Sequence, residues 1–447
     1  MSENYPKDDR QAHEEPGGAR HRLGVLMLAL ALALAVVSAV ALATLTGKGG
    51  PKQASTKEVA SSQQSAPLEA VDEPAPEPEP APPEPPHVEP VSVRLMMIGD
   101  ILMHMGVIGS GNMEDGSLNY DHLFAHIADD VREADVAVVN QETILGGYNW
   151  PFSGYPAFNS PQEVGDAEAA VGFDVILRAT NHTFDMGYAG VSSELAFWAN
   201  NHPEMAVIGA ADPDGDGIAP AGGTSPAGPY VFEKDGFRIA LLNYTAVLNA
   251  NVDPSYDEQV MGIMSEDRIR VDVEAAHEQA DIVVVFAHWG EEYQTSPVES
   301  EYYWASVFQD AGVDVVIGGH PHVIQPVEVL GEGDDRMLVF WSVGNFVSTQ
   351  NDARNMLGGM AKVDFVKDDD GARVTSYEFI PTVTQKEPYT TNMTTYKLPD
   401  YNDDLAAQST VSSWAGEGGT AGWYYDYCAG VLGDAFDWDT ATVHGSL

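Results

Sequence analysis

The sequence predicts an α/β fold. Between residues 93 and 346, seven short runs rich in Val, Ile and Leu recur, each nearly continuous in apolar character. That is what strands in a sheet covered on both faces require. Stretches with helical spacing lie between them, such as GVSSELAFWANNH at 190–202 and EDRIRVDVEAAHEQA at 266–280. Strands alternating with helices imply crossover units. Several of the runs also end in side chains that carry nitrogen or oxygen donors.

Three segments precede this region. Residues 1–22 mix both charge signs with Pro and Gly and show no apolar periodicity, which predicts a disordered arm. LGVLMLALALALAVVSAVALATLTG at 23–47 then runs without a charge. At about 1.5 Å per residue such a helix reaches roughly 37 Å, enough to cross a hydrocarbon core of about 30 Å. Arg20 and Arg22 precede it and Lys48 and Lys52 follow, a bias toward a cytoplasmic N-terminus. The expectation is a single-pass cell-membrane anchor with the remaining chain extracytoplasmic. A cleaved signal peptide is the alternative, since Ala41-Leu42-Ala43 has the small-x-small form of a cleavage site. The apolar segment exceeds the usual signal length of about 7–15 residues, which favours the anchor.

Residues 48–90 form a Pro/Glu-rich linker that includes EPAPEPEPAPPEPP at 73–86. Proline at that density favours an extended, semi-rigid stalk. The formal charge of -47, from 21 basic and 68 acidic residues, argues against a nucleic-acid partner, which needs clustered Lys and Arg. An anionic substrate would need a concentrated positive charge, and bound metal ions supply one compactly. The single cysteine, Cys428, allows no internal disulfide.

One domain is expected over 91–395. Its apolar runs are VRLMMIGD (93–100), ADVAVVNQE (134–142), FDVILRATNH (173–182), FRIALLNYT (237–245), ADIVVVFAHWG (280–290), VDVVIGGHPH (313–322) and MLVFWSVGNF (337–346). Asp100 and His104, Glu142, Asn181 and His182, His288, and His320 with His322 fall at or just beyond run ends. In open α/β sheets ligands bind at that edge. Pro321 lacks an N–H and disfavours helix at His320, so HPH is expected to be extended, with two imidazoles at i and i+2.

Singly, each of these has an ordinary reading: a surface turn for HPH, a core histidine for His288, an Asx turn for Asn181-His182 and a helix cap for Asp100. Together they form a mixed nitrogen and oxygen set suited to Zn, Mn or Fe rather than Ca or Mg. Two adjacent divalent ions are expected; such a pair lowers the pKa of water and clamps an anionic group. DPDGDG at 212–217 resembles the start of a calcium loop, but Gly223 stands where the loop needs Glu, so it reads as an acidic turn. No G-x-S-x-G elbow is present, which disfavours covalent catalysis by Ser.

Six motifs in fixed order carry a further resemblance: Gly99-Asp100 with His104, Asn140-Gln141-Glu142-Thr143, Thr180 to Gly187 (TNHTFDMG), Ala287 to Tyr293 (AHWGEEY), Gly318 to Pro326 (GGHPHVIQP) and Ser342 to Phe346 (SVGNF). Across about 93–350 the chain resembles the CapA family of poly-gamma-glutamate capsule synthesis proteins, a branch of the calcineurin-like metallophosphatase fold. The resemblance implies a four-layer sandwich, two mixed sheets flanked by helices, with a dinuclear metal centre at the strand ends. It implies Asp100, Glu142, Asn181, His288, His320 and His322 as ligands, Glu142 as the bridge, and His104 as a further candidate. His182, oriented by Asp185, would be the proton donor. The motif residues Trp289, Glu292, Tyr293, Gln325 and Asn345 would contact substrate.

Two positions depart from that pattern. Metallophosphatases open with D-x-H, whereas Asp100 and His104 stand four apart, and they carry Asp where Glu142 is one methylene longer. The function implied is synthesis, transport or trimming of an anionic envelope polymer such as poly-gamma-glutamate, through hydrolase chemistry on an amide or phosphoester. A broad metallophosphoesterase and a non-catalytic subunit of a polymer export complex are the alternatives. Residues 351–395 are expected to continue the second sheet. Residues 396–447 read as an acidic, aromatic C-terminal extension, either packed on the domain or in contact with the cell wall.

Overall fold

The computed structural model describes residues 89–212, 225–249, 258–350, 352–387, 392–411 and 418–447. The expected arm (1–22), membrane segment (23–47), nearly all of the linker, and residues 213–217 of the acidic turn lie outside them. Among the described residues no helix is long and apolar enough to cross a membrane.

The chain runs through β1 (Val91–Ile101), α1 (Met105–Ser110), α2 (Ala128–Glu133), β2 (Val136–Asn140), α3 (Glu163–Val171), β3 (Val175–Leu177), α4 (Gly187–Asn201) and β4 (Ala206–Ile208). It continues with β5 (Tyr230–Lys234), β6 (Phe237–Thr245), α5 (Glu266–His277), β7 (Ile282–His288), α6 (Glu299–Ala311), β8 (Val315–Gly319), β9 (Val327–Leu330) and β10 (Met337–Phe340). The last part holds β11 (Asn345–Val347), β12 (Leu357–Asp368), β13 (Gly371–Lys386), β14 (Met393–Lys397), α7 (Asp403–Gln408), α8 (Ala421–Leu432), β15 (Phe436–Asp437) and β16 (Thr442–Ser446).

Both sheets are mixed. In the first, β1 to β4 pair in parallel, and β12 lies antiparallel on the other side of β1, followed by β13. In the second, β6, β7, β8 and β10 run parallel, with β5 and β9 antiparallel at the two edges. Three apolar cores set the order of the layers. Leu95, Met97 and Val138 of the first sheet meet Leu241, Val284 and Ile317 of the second. Met96, Ile98 and Val139 face Val131, Val164 and Leu195 of α2, α3 and α4. Leu242, Val283 and Val316 face Ile269, Val273 and Phe308 of α5 and α6. Successive strand residues thus enter opposite cores, which is why the runs carry no polar alternation.

Local chemistry sets the helix ends. Ser265 caps α5 by accepting from Arg268 N, with Glu266 and Asp267 in its first turn, where acidic groups favour the helix dipole. Gly312, at φ 90°, closes α6 in the left-handed conformation.

Two expectations are corrected. Residues 357–386 join the first sheet, because β12 satisfies the second edge of β1 along eight antiparallel partners from Val91 to Ile98. The boundary expected at 395 falls inside β14, which pairs with β13. Beyond it, β16 also pairs with β13, while Tyr424, Cys428 and Leu432 of α8 enter the core between the sheets. The described part of the C-terminal segment is therefore built into the first sheet and its core, because its aromatic residues are the apolar cover for β13.

Candidate metal centre

The donors come from strand ends of both sheets. Asp100 lies in β1, Glu142 two residues after β2, Asn181 and His182 shortly after β3, His288 at the end of β7, and His320 and His322 just after β8. All are buried, between 0% and 7% exposed. Two groups form, each with its ligand atoms within 4.8 Å of one another: Asp100, Glu142 and His322, and Glu142, His288 and His320.

Glu142 is shared. Its Oε1 stands 3.8 Å from His288 Nε2, and its Oε2 stands 3.8 Å from His322 Nδ1, which is also 3.6 Å from Asp100 Oδ2. Among the described residues, neither Glu142 oxygen has a hydrogen-bond partner, nor do His288 Nδ1 and His320 Nδ1. Buried polar atoms are nearly always satisfied, and a buried carboxylate without partners is costly. A carboxylate flanked by imidazoles in two groups fits divalent cations as the missing partners.

The electrostatics agree. Burial raises the Glu142 carboxyl well above the ordinary carboxylate range, and Asp100 adds to the rise against the pull of His322. Burial, then His320 and His322, push His288 far below its usual value. Burial, then His322, lower His320 to about 3. These two stay neutral with lone pairs available, the state a metal requires. Burial opposes the charged form of His322, but Glu142 and Asp100 raise it to about 9.

The HPH segment is not extended. His320 has φ 95° and His322 φ 58°, left-handed conformations that cost about 1–3 kcal/mol each in a non-glycine residue. Extended backbone would point both imidazoles to one side; the reversal sends each to a different group, with ring centroids 5.8 Å apart. Hydrogen bonds hold it: His320 N donates to Asp100 Oδ2 at 3.0 Å, and Tyr293 N donates to Pro321 O at 2.8 Å. The glycines before it allow close approach. A Cβ on Gly319 would stand 2.6 Å from Asp100 Oδ1.

Beside the groups, Asn181 Oδ1 lies 2.9 Å from His288 Nε2. His182 Nδ1 is 2.7 Å from Asp185 Oδ2, which also accepts from Phe158 N at 2.7 Å. The Phe158 ring meets His182 and His104 edge-on at 4.8 and 5.3 Å. His104 belongs to neither group. Its Nδ1 accepts from Thr349 N at 3.4 Å, and burial followed by His322 lowers it to about 4. The four-residue spacing starts α1 at Met105 and carries the imidazole to the wall of a neighbouring cleft.

Three of the expected substrate contacts are also corrected. Trp289 is fully buried, its ring stacked on Trp341 at 5.6 Å and its Nε1 donating to Trp341 O. Gln325 is 1% exposed and donates to Gln294 O. Asn345 is fully buried with Oδ1 3.0 Å from His322 Nδ1, so it orients a donor. Only Glu292 and Tyr293 of that set are exposed.

Sequence reasoning missed the supports. Asn140 Nδ2 donates to Asp100 Oδ1 at 2.6 Å. Arg178, 1% exposed, donates to the Gln141 and Glu142 carbonyls while pairing with Glu194 at 2.9 Å. Thr180 Oγ1 donates to Glu142 O at 2.9 Å. Asn249 contacts both Asn181 and His182 at 3.3 Å. Arg178, set directly after the apolar Val175-Ile176-Leu177, was the one available signal.

Residues 94–350 match the family model described as bacterial capsule synthesis protein PGA_cap. The capsule biosynthesis protein CapA of Bacillus anthracis is 27% identical over 273 residues, 59% of this chain and 62% of that one. The PGA biosynthesis protein CapA of Bacillus subtilis (strain 168) is 30% identical over 202 residues, 44% of this chain and 49% of that one. The chain thus spans about half of one of these relatives and about three fifths of the other. Among solved structures, the NAD nucleotidase of Haemophilus influenzae aligns at a TM-score of 0.41 and 14% identity, covering 66% of this chain and 56% of that one. With a family match over more than half of its residues, the chain belongs to the bacterial capsule synthesis protein family PGA_cap.

Proposed function

We propose that this capsule synthesis family member is a divalent-metal-dependent hydrolase of an anionic envelope polymer, poly-gamma-glutamate foremost, held at the membrane by residues 23–47. The observation that carries this reading is Glu142, a fully buried carboxylate with both oxygens unpartnered among the described residues, each 3.8 Å from a different histidine. Asp100, Glu142 and His322 would hold one ion of the Mn, Zn or Fe type, and Glu142, His288 and His320 a second, with Asn181 beside the latter. When bound, such ions acidify water and draw off charge that develops on the bond being cleaved.

The chain's own part is proton transfer and exclusion of water. Asp185, 2.7 Å from His182 Nδ1, accepts the proton borne by that nitrogen and orients the ring, so a second proton, taken from solvent at Nε2, would be the one passed to the departing amine or alcohol, leaving the ring neutral. The Phe158 ring holds the imidazole from the side. Asn140 and Asn345 lock the Asp100 and His322 side chains, as supports behind metal ligands do. An anionic chain approaching a protein of net charge -47 requires this local concentration of positive charge.

The test is metal content by mass spectrometry, with assays of glutamate release from poly-gamma-glutamate and of a phosphodiester, on the wild type and a His320→Ala, His322→Ala double variant. The wild type is expected to bind metal and hydrolyse the polymer, and the variant to lose both. Absence of metal, or equal turnover in the two proteins, overturns the reading. Turnover of the phosphodiester alone replaces it with a phosphoesterase.

A further inference from the structure

A cleft of about 460 Å³ adjoins the donor groups, lined by His104, Tyr155, Tyr293, Gln350, Asp352 and Arg354 among others. Its volume is that of a small-ligand pocket. It is wired to the metal centre through side chains. His322 Nδ1 meets Asn345 Oδ1 at 3.0 Å, Asn345 Nδ2 donates to Gln350 Oε1 at 3.0 Å, and Gln350 Nε2 lies 3.5 Å from the Tyr293 hydroxyl. Asn355 Nδ2 also donates to Gln350 Oε1, at 2.7 Å.

These bonds orient Gln350. Its oxygen is saturated from the protein side, so its amide N–H groups turn toward Tyr293 and the cleft, and the long 3.5 Å contact leaves them able to serve a ligand carbonyl. The Tyr293 hydroxyl is the acceptor in that contact, which leaves its own O–H to donate. Arg354 is held by Asp352 through Nε at 3.1 Å and Nη2 at 2.7 Å. Asp352 occupies one edge of the guanidinium, and Nη1 has no hydrogen-bond partner among the described residues. The remaining edge, on the Nη1 side, matches a second carboxylate. Tyr155, 78% exposed, and Tyr293, 42% exposed, stand on separate loops at the cleft.

We propose that this cleft binds the stretch of an acidic, amide-linked chain next to the cleaved bond: Gln350 and Tyr293 donate to its amide carbonyls, Arg354 pairs with a side-chain carboxylate, and Tyr155 packs on its methylenes. Carbonyl acceptors and carboxylates alternating along one chain match amide and phenol donors set beside a guanidinium. A phosphate polymer offers no carbonyl for Gln350. The inference rests on the polymer-hydrolase reading for its substrate class, but its test does not depend on turnover.

The experiment is calorimetric binding to the full chain carrying His182→Ala, in Mn-containing buffer, with a γ-linked glutamate oligomer and with inorganic polyphosphate. Arg354→Gln is expected to weaken oligomer binding about tenfold, the scale of one charge-assisted hydrogen bond, with metal content unchanged and polyphosphate binding unaffected. Tyr155→Ala, at a side chain too exposed to disturb folding, is expected to weaken it also. The proposal is overturned if the oligomer does not bind, if both variants bind it as the parent does, or if polyphosphate binding falls equally. Variant-sensitive binding without hydrolysis in the chain with His182 intact would instead remove the hydrolase reading and leave the cleft standing.

Discussion

At the scale of the residue, His182 and Glu142 separate two roles. Glu142 sits between both donor groups, whereas His182 lies outside them and is tied to Asp185. The His182→Ala variant is expected to lose about 10²–10⁴-fold in turnover, the usual contribution of a positioned proton donor, while retaining its metal by mass spectrometry. Loss of metal in parallel would show that His182 supports the centre instead. The ligands were legible because each lies at or just past the end of an apolar run. Trp289 was misread because AHWGEEY does not show on which side of the chain each residue falls; the step after His288 turns its neighbour into the core. Arg354 and Tyr155 left no trace, since they lie on segments without periodicity.

At the scale of the element, α6 carries a pH dependence. Glu301 in its first turn accepts from Val298 N at 2.7 Å, yet it is fully buried beside Gly290, where a Cβ would stand 2.7–2.9 Å from its carboxylate. Burial raises its carboxyl to about 7 from an ordinary 4.5. The folded state then holds a proton that the unfolded state has released, so stability falls as pH rises from about 4.5 to 7. Denaturation midpoints of Glu301→Gln measured across that window should have this slope removed; an unchanged slope would place its origin elsewhere. The seven apolar runs became strands of the two sheets, while β12 to β16 escaped detection as one sheet. Antiparallel strands are assigned by their partners: β12 pairs with β1 more than two hundred residues away in sequence, as Arg94 does with Asp364, and β13, β14 and β16 follow it into that sheet through pairings of their own.

At the scale of the whole molecule, the layered α/β arrangement followed from the alternation of runs and helices, and the meeting of two sheets at one edge was visible only through the resemblance. Because ligands come from both sheets, metal is expected to bind the folded chain and not the unfolded one. At free metal about a hundredfold above Kd, this adds about 2.7 kcal/mol, or about 4 °C in Tm for a domain of roughly 350 residues. Chelation followed by thermal denaturation checks it, and an unaltered Tm would mean that the metal contributes no stability.

The bond from His320 N to Asp100 Oδ2 spans 220 residues of chain. As the polypeptide is synthesised, Asp100, Glu142 and Asn181 emerge first and wait, holding only part of each donor group. His288 arrives after nearly two thirds of the sequence has been made, and the two late histidines after nearly three quarters. A chain truncated before residue 320 would carry the early half of the centre and never close either group. Metal held in both groups would therefore mark a chain translated past His322.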